Sequence, residues 1–425
     1  MSKVLKRRWQ SNLVDSGLPR RDRGPCSYEA YVPDPLVGRT IVLEGGVAAD
    51  VADAEAAIVR LNAEARALVD TEALARILLR AEAVASSRIE GLEIGARRLL
   101  HAEVIRGLNA ESASDVTATE VLGNIDAIVY AVGSSGSGDP ISVDLLLEVH
   151  RRLLAGSRLA EHRGRFRQEQ NWIGGSSFNP CSAAFVPAPH EFVDELMADL
   201  CQFSSTDDLP AVAQAAIAHA QFETIHPFVD GNGRTGRALI HLILRRRGIA
   251  LRVLPPVSLV LATSAQSYIE GLTQFRFVGS PTSRQAVEGL NSWVGLFAAA
   301  CTRSVTEATT FEDRAAALEE QWRDRLGTVR AKSATDLLLR KIPGAPILTV
   351  VGAAELVGRT FKPAGEAIQR LVEAGILRQV TVGRRNRAFE APEIIAAFTD
   401  LERQLASPDG DTRISAPARP VPHRR

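Results

Sequence analysis

Helical spacing dominates the chain. Apolar residues recur three and four apart over residues 50–68, an alanine-rich stretch, and again from Asp70 towards Glu90. Asp70 is placed to cap that second helix, Glu72 falls in its first turn and Gly91 ends it. The same spacing predicts helices over 117–132, 144–154, 191–203 and 210–225. Gly156 follows the second of these, Asp208 can cap the last, and Pro210 suits its first turn. A further helix over 238–247 stops at Gly248; the pattern breaks at Pro255-Pro256 and resumes over 264–272 and 291–326. Between 164 and 187 aromatic, glycine and proline residues replace the helical spacing, which predicts a loop with a short hairpin.

The two ends differ from this. Residues 1–40, rich in Arg, Pro and Gly, predict irregular chain, and no internal repeat is visible. From Pro343 a short helix (353–357), a Gly358-Arg359-Thr360 turn, a second helix (363–374) ended by Gly375, an alternating strand (376–382), a turn at 383–386 and a returning strand (387–390) follow one another. That order resembles a winged helix-turn-helix domain. Arg384, Arg385 and Arg387 in its wing could meet phosphates, which keeps DNA as a partner class. Gly365 weakens the recognition helix, however, and Glu366 and Glu373 repel DNA, so protein contact is the preferred reading. The tail after Ser407 predicts disorder.

Composition narrows the picture. A chain of 425 residues exceeds one ordinary core, so two or three domains are expected. Hydrophobic residues at 45% and charged residues at 24% are those of a globular protein, and zero formal net charge gives no whole-chain attraction to nucleic acid or acidic membrane. No stretch is long and uncharged enough to span a bilayer, and the basic start lacks the apolar segment of a signal peptide. Cys26, Cys181, Cys201 and Cys301 are widely separated without a Cys-x-x-Cys, so neither a disulfide nor a zinc site is expected and a cytoplasmic location fits.

The candidate chemistry lies between the helices at 210–225 and 238–247, in His226-Pro227-Phe228-Val229-Asp230-Gly231-Asn232-Gly233-Arg234-Thr235-Gly236-Arg237. A tight loop opening a helix presents unpaired N–H groups and the positive end of the helix dipole to an anion. Gly231 and Gly233 remove Cβ atoms that would hold a phosphate off, and Asn232 tolerates a left-handed backbone and adds an amide donor. Arg234 and Arg237, three apart, can fork onto successive phosphates. Asp230 makes sense beside a phosphate cradle if it holds a hard divalent cation, and His226 titrates near neutrality and can take a proton from a hydroxyl. Taken singly, these features suit a turn, a solvated helix face and a helix cap; in this order they suit phosphoryl or nucleotidyl transfer.

The run resembles, at every position, the signature of Fic-domain proteins, His-Pro-Phe-x-Asp/Glu-Gly-Asn-Gly-Arg-x-x-Arg. That resemblance implies a mainly α-helical Fic core that moves AMP from ATP to a protein hydroxyl with Mg2+, although some relatives transfer other groups. It implies His226 as the base, Phe228, Asp230, Gly231, Asn232, Gly233, Arg234 and Arg237 on ATP, and Asp230 on the metal. Tyr268 falls where relatives carry an aromatic residue near the adenine; packing in the core is the alternative for it. Ser86-Ser87-Arg88-Ile89-Glu90-Gly91 resembles the family's inhibitory motif, Ser/Thr-x-x-x-Glu-Gly/Asn, with Ser86, Glu90 and Gly91 in register. A glutamate there would pair with Arg237 and take its clamp from the γ-phosphate. The segment 172–187 resembles the flap on which relatives dock a target peptide by strand pairing.

The expected organisation is thus an irregular segment (1–40), a helical region with the inhibitory helix (41–110), a Fic core with a small β-hairpin flap (111–280), a helical connector (281–335), a winged helix (336–400) and a tail (401–425). The expected partner is a protein bearing a Ser, Thr or Tyr hydroxyl at the flap, with self-modification and a homodimer as further expectations. The rival readings are a nucleotide-sensing transcriptional regulator, removal of AMP from targets with Glu90 positioning a water, and another phosphoryl or nucleotidyl transfer.

Overall fold

A computed structural model describes residues 1–10, 19–64, 71–108, 115–134, 136–382 and 386–404. In chain order the elements are β1 (Lys3–Trp9), α1 (Arg20–Arg23), β2 (Cys26–Val32), α2 (Gly45–Glu64), α3 (Thr71–Ile89), α4 (Ala96–Gly107), α5 (Val116–Gly133), α6 (Val143–Leu153), α7 (Val193–Ser204) and α8 (Ala211–Ile225). They continue with α9 (Asn232–Arg246), α10 (Val257–Thr263), α11 (Ala265–Phe275), α12 (Arg284–Leu326), α13 (Ala334–Lys341), β3 (Ile347–Leu348), α14 (Val350–Val357), α15 (Phe361–Glu373), β4 (Arg378–Val382), β5 (Asn386–Glu390) and α16 (Pro392–Gln404). The protein is mainly α, as the spacing predicts. No described helix is long and apolar enough to cross a membrane. The helices form two compact units, one of residues 1–52, 130–248 and 266–298, the other of 53–129, 249–265 and 299–425.

The first unit is organised around α8, whose fifteen residues are all buried. Its alanines let α7 and α9 pack closely on it. At Gly236 of α9 a Cβ would come within 2.9 Å of the Phe222 ring and 2.8 Å of the Glu223 carboxylate. Trp293 and Phe297 of α12 lie in the same core, and the Trp293 indole N–H donates to the Ala216 carbonyl at 2.7 Å. Asp208 does not cap α8: Pro210 occupies the N-cap position with no side-chain cap.

Residues 1–40 depart from expectation. β1 and β2 form an antiparallel ribbon, Lys3 opposite Val32 and Trp9 opposite Cys26. β1 carries Lys3, Lys6, Arg7 and Arg8 and is mostly exposed, so it shows no alternating apolar face; backbone pairing to β2 supplies the order instead. The ribbon is anchored by the Tyr31 hydroxyl, which donates to the Phe277 carbonyl at 2.6 Å, and by a bridge between Ser2 and Gly279. The expectation of no disulfide is also overturned. Cys26 and Cys181, 155 residues apart, are bonded, because β2 runs beside the short turn Pro180–Ser182. The hairpin expected over 172–187 is reduced to one bridge, Ile173 to Phe185.

In the second unit α3 packs on α10, and Glu82 of α3 accepts from the backbone N–H of Ser258 at 2.8 Å. The residues after Pro343 form the expected order of α14, α15, β4 and β5, with β3 completing a sheet ordered β3-β5-β4. Thr349 caps α14, accepting from Gly352 N–H at 3.0 Å, and Gly358 ends it at φ 60°. Trp322, Leu338, Leu371 and Phe389 share one apolar core. Glu390, 1% exposed, accepts from Arg97 and Arg378. Arg387 is exposed, whereas the expected Asp70 cap, the wing residues Arg384 and Arg385, and the tail from 405 lie outside the described residues.

Candidate active site

The site is the bend between α8 and α9. α8 ends because Pro227 cannot continue it and because His226 takes a left-handed backbone, φ 51° and ψ 61°, with its N–H still donating to the Phe222 carbonyl at 2.9 Å. That conformation is unfavourable for a residue with a Cβ. Two side chains hold it. Arg167 Nε donates to the His226 carbonyl at 2.9 Å and Asn171 Nδ2 donates to the same oxygen at 3.2 Å. The Arg167 guanidinium also donates to the carbonyls of Glu169 (3.0 Å), Ala188 and Ile225 (3.3 Å), and its backbone N–H donates to the Pro227 carbonyl at 2.9 Å. Burial pulls its pKa down to about 10, so it stays charged at neutral pH. The His226 ring lies with Nδ1 3.9 Å from the Glu223 carboxylate.

The rest of the bend is closed by Asn232. Its Oδ1 accepts from Phe228 N–H at 2.8 Å and its Nδ2 donates to the Phe228 carbonyl at 2.9 Å. Its amide is therefore spent within the loop, and the left-handed residues are His226 and Gly231, not Asn232. Gly231 is required by its φ of 77° and by packing: a Cβ there would lie 2.8 Å from Leu153. Phe228, fully buried, stacks on His150 with centroids 3.7 Å apart. Gly164 N–H donates to His150 Nδ1 at 3.0 Å, which leaves Nε2 to donate to the Asp230 carbonyl at 3.0 Å. Burial lowers the His150 pKa to about 4, so this neutral tautomer is the resting one.

At the start of α9 the groups are arranged for an anion. Arg234 is 3% exposed; Nη2 reaches Asp230 at 3.3 Å, whereas Nε and Nη1 are buried without a partner. Buried guanidinium donors left unpaired beside a helix N-terminus fit a phosphate. Gly233 and Arg237 belong to the same buried turns of α9. Asp230 is half-exposed. No group of three His, Cys, Asp or Glu residues suited to a metal occurs among the described residues, but a single carboxylate suits Mg2+ that reaches the protein with phosphate oxygens and keeps its waters.

His226, Phe228, Asp230, Gly231, Asn232, Gly233, Arg234 and Arg237 are thus brought together. Tyr268 lies in the core of the same unit, 4% exposed, its hydroxyl 2.8 Å from His219 Nε2 and its ring beside Trp293. Ser86, Glu90 and Gly91 belong to the second unit. There Ser86 is buried, Gly91 turns the chain out of α3 at φ 83°, and Glu90 is exposed just beyond the helix end. Sequence reasoning missed Arg167, Asn171, His150 and Glu223. Glu223 carried a signal, as a carboxylate among the alanines of a wholly buried helix.

Comparison with known proteins agrees with this geometry. A profile described as the Fic/DOC family matches residues 140–244, and one described as the Fic/DOC family N-terminal region matches 48–133. A Caenorhabditis elegans protein named protein adenylyltransferase fic-1 is 38% identical over 133 residues, 31% of this chain and 23% of its own length. A Nematostella vectensis protein named protein adenylyltransferase Fic is 32% identical over 177 residues, 39% of this chain and 38% of its own length. The chain therefore spans well under half of these curated relatives. A crystal structure of a Fic family protein from Desulfovibrio desulfuricans G20 shares the fold, with a TM-score of 0.51 at 22% identity over 82% of this chain and 97% of that one. Residues 140–244 thus carry a domain of the Fic/DOC family, and residues 48–133 the family's N-terminal region.

Proposed function

We propose that the protein is an adenylyltransferase that moves AMP from ATP to a Ser, Thr or Tyr hydroxyl of a target protein, and to itself, under restraint by Glu90. The observation that carries this reading is the pairing of His226, fixed by Arg167 and Asn171, with the unpartnered donors of Arg234 at the start of α9. The names of the curated relatives point to the same reaction.

Arg234 and Arg237 orient the β- and γ-phosphates over the α9 N-terminus. Asp230 would hold Mg2+, which would supply positive charge against the triphosphate. With Nδ1 turned to Glu223, His226 Nε2 takes the hydroxyl proton. The hydroxyl oxygen bonds to the α-phosphorus as the bond to the bridging oxygen breaks, and pyrophosphate leaves. The target docks along 172–187, where Ile173 and Phe178 are exposed. The segment α14 to β5 serves protein contact as a winged helix.

Purified protein with α-labelled and, separately, γ-labelled ATP tests the reading. Label on protein from the α position alone is expected. Label from γ alone means kinase-like transfer, and no label even for Glu90→Gly means that the loop serves as a nucleotide sensor.

A further inference from the structure

Among the described residues, the segment 172–186 is fastened to β1, α1 and β2 by ring contacts, hydrogen bonds and a disulfide. Trp9 meets Trp172 edge to face with centroids 5.3 Å apart. Ser176 Oγ donates to Asp22 Oδ1 at 2.7 Å. Tyr31 N–H donates to the Val186 carbonyl at 2.9 Å. Tyr31 also faces Phe185 with ring centroids 6.1 Å apart, and the Cys26–Cys181 bond is the covalent tie among these contacts. The ribbon is itself immobilised at Phe277 and Gly279, so it anchors the loop to the body of the unit. Within the loop Ile173 pairs with Phe185, the Trp172 indole N–H donates to the Ser176 carbonyl at 2.7 Å, and Ser176 N–H donates to Ser182 Oγ at 3.1 Å. Hydrogen bonds of this kind open and close individually, whereas the disulfide restrains the chain for as long as it stays oxidised.

The disulfide is placed to be opened. Cys181 is exposed and Cys26 half-buried, whereas the remaining cysteines, Cys201 and Cys301, are buried in the core. Burial pushes the Cys201 thiol up to about 12 and raises that of Cys301 too, so neither is a ready thiolate for exchange.

We propose that Cys26–Cys181 is a redox-operated fastener of the loop at 172–186: closed, it holds the loop in one shape; opened by a dithiol reductant, it releases the loop while leaving the His226 bend intact. In the opening step a reductant thiolate attacks Sγ of Cys181 and the S–S bond breaks with Cys26 leaving as thiolate. The second reductant thiol then displaces Cys181 from the mixed disulfide. The protein gains two electrons and two protons as two thiols, and the reductant is oxidised to its own disulfide. That the loop docks a target rests on the adenylyltransferase reading; that the disulfide sets its order does not. On that reading, reduction raises KM for a protein target and leaves ATP affinity unchanged, because ordering the loop beforehand lowers the cost of docking.

The test uses the full chain, oxidised or treated with a dithiol under native conditions, together with Cys181→Ser. Mass spectrometry after alkylation counts the thiols, hydrogen exchange reads the amides of 172–186, and a fluorescent ATP analogue reads nucleotide affinity. The expected result is two further thiols on reduction, exchange at Ile173 and Ala184 faster by about tenfold or more, the same change in Cys181→Ser without reductant, and nucleotide affinity unchanged. The proposal is overturned by four alkylatable thiols before reduction, by exchange that does not change on reduction, or by equal loosening of the whole unit. None of these readouts requires AMP transfer, so failure of the adenylyltransferase reading would register separately.

Discussion

Arg167 holds the carbonyl of His226. The guanidinium Nε lies 2.9 Å from that oxygen, at a residue held in a left-handed backbone with its imidazole Nδ1 3.9 Å from the Glu223 carboxylate. Arg167→Ala would leave several buried carbonyls unanswered, each costing about 1–3 kcal/mol. We expect AMP transfer to fall by about 100-fold through misplacement of the base, with nucleotide affinity much less affected. Arg167→Lys would not rescue, because an ammonium cannot reproduce a planar fork. Single-turnover rates alongside nucleotide titration check this.

Gly231→Ala combines a strained φ of 77° with a contact to Leu153. Strain of about 1–2 kcal/mol and overpacking of about 1–3 kcal/mol add, so thermal unfolding should show a clear loss of stability. Asn232→Ala, which unlatches Phe228 on both its N–H and its carbonyl, should slow transfer even where the protein remains folded.

Acid should loosen the first unit. Burial lowers the His219 pKa from 6.5 to about 3. Above pH 6.5 His219 is neutral folded or unfolded and contributes no pH dependence. As pH falls from 6.5 towards 3 only the unfolded chain takes the proton, so stability is lost across that window. His150, lowered to about 4, acts in the same direction. Unfolding midpoints measured between pH 7 and pH 4 should fall, and His219→Gln should flatten part of that slope while His150 retains the remainder.

Much of this was legible in the sequence. The bend from His226 to Arg237 drew attention through residue types at fixed spacing, and the helices on either side of it were read from the sequence pattern, although the full burial of α8 was not. The residues that hold the bend were not legible. Arg167 and Asn171 lie in a stretch without periodicity, and an arginine there reads as solvent-exposed until the fold surrounds it with carbonyls. The Cys26–Cys181 bond failed for a related reason: separation along the chain says nothing about separation in space once β2 and the Pro180–Ser182 turn converge. The Lys- and Arg-rich β1 hid its strand because an exposed ribbon needs no apolar face.

Glu90→Gly should raise self-modification, read as incorporation of α-labelled ATP, by about tenfold or more if the glutamate forfeits even one charge-assisted pair. His226→Ala in the same background should abolish it. Equal incorporation by wild type and Glu90→Gly would remove the inhibitory role of Glu90.

The most direct measurement is a crystal structure of the Glu90→Gly variant with Mg2+ and a non-hydrolysable ATP analogue. The triphosphate should lie on the α9 N-terminus, with Arg234 Nε and Nη1 on phosphate oxygens and the α-phosphorus facing His226. A nucleotide bound elsewhere, with those Arg234 donors still unpaired, would contradict the account.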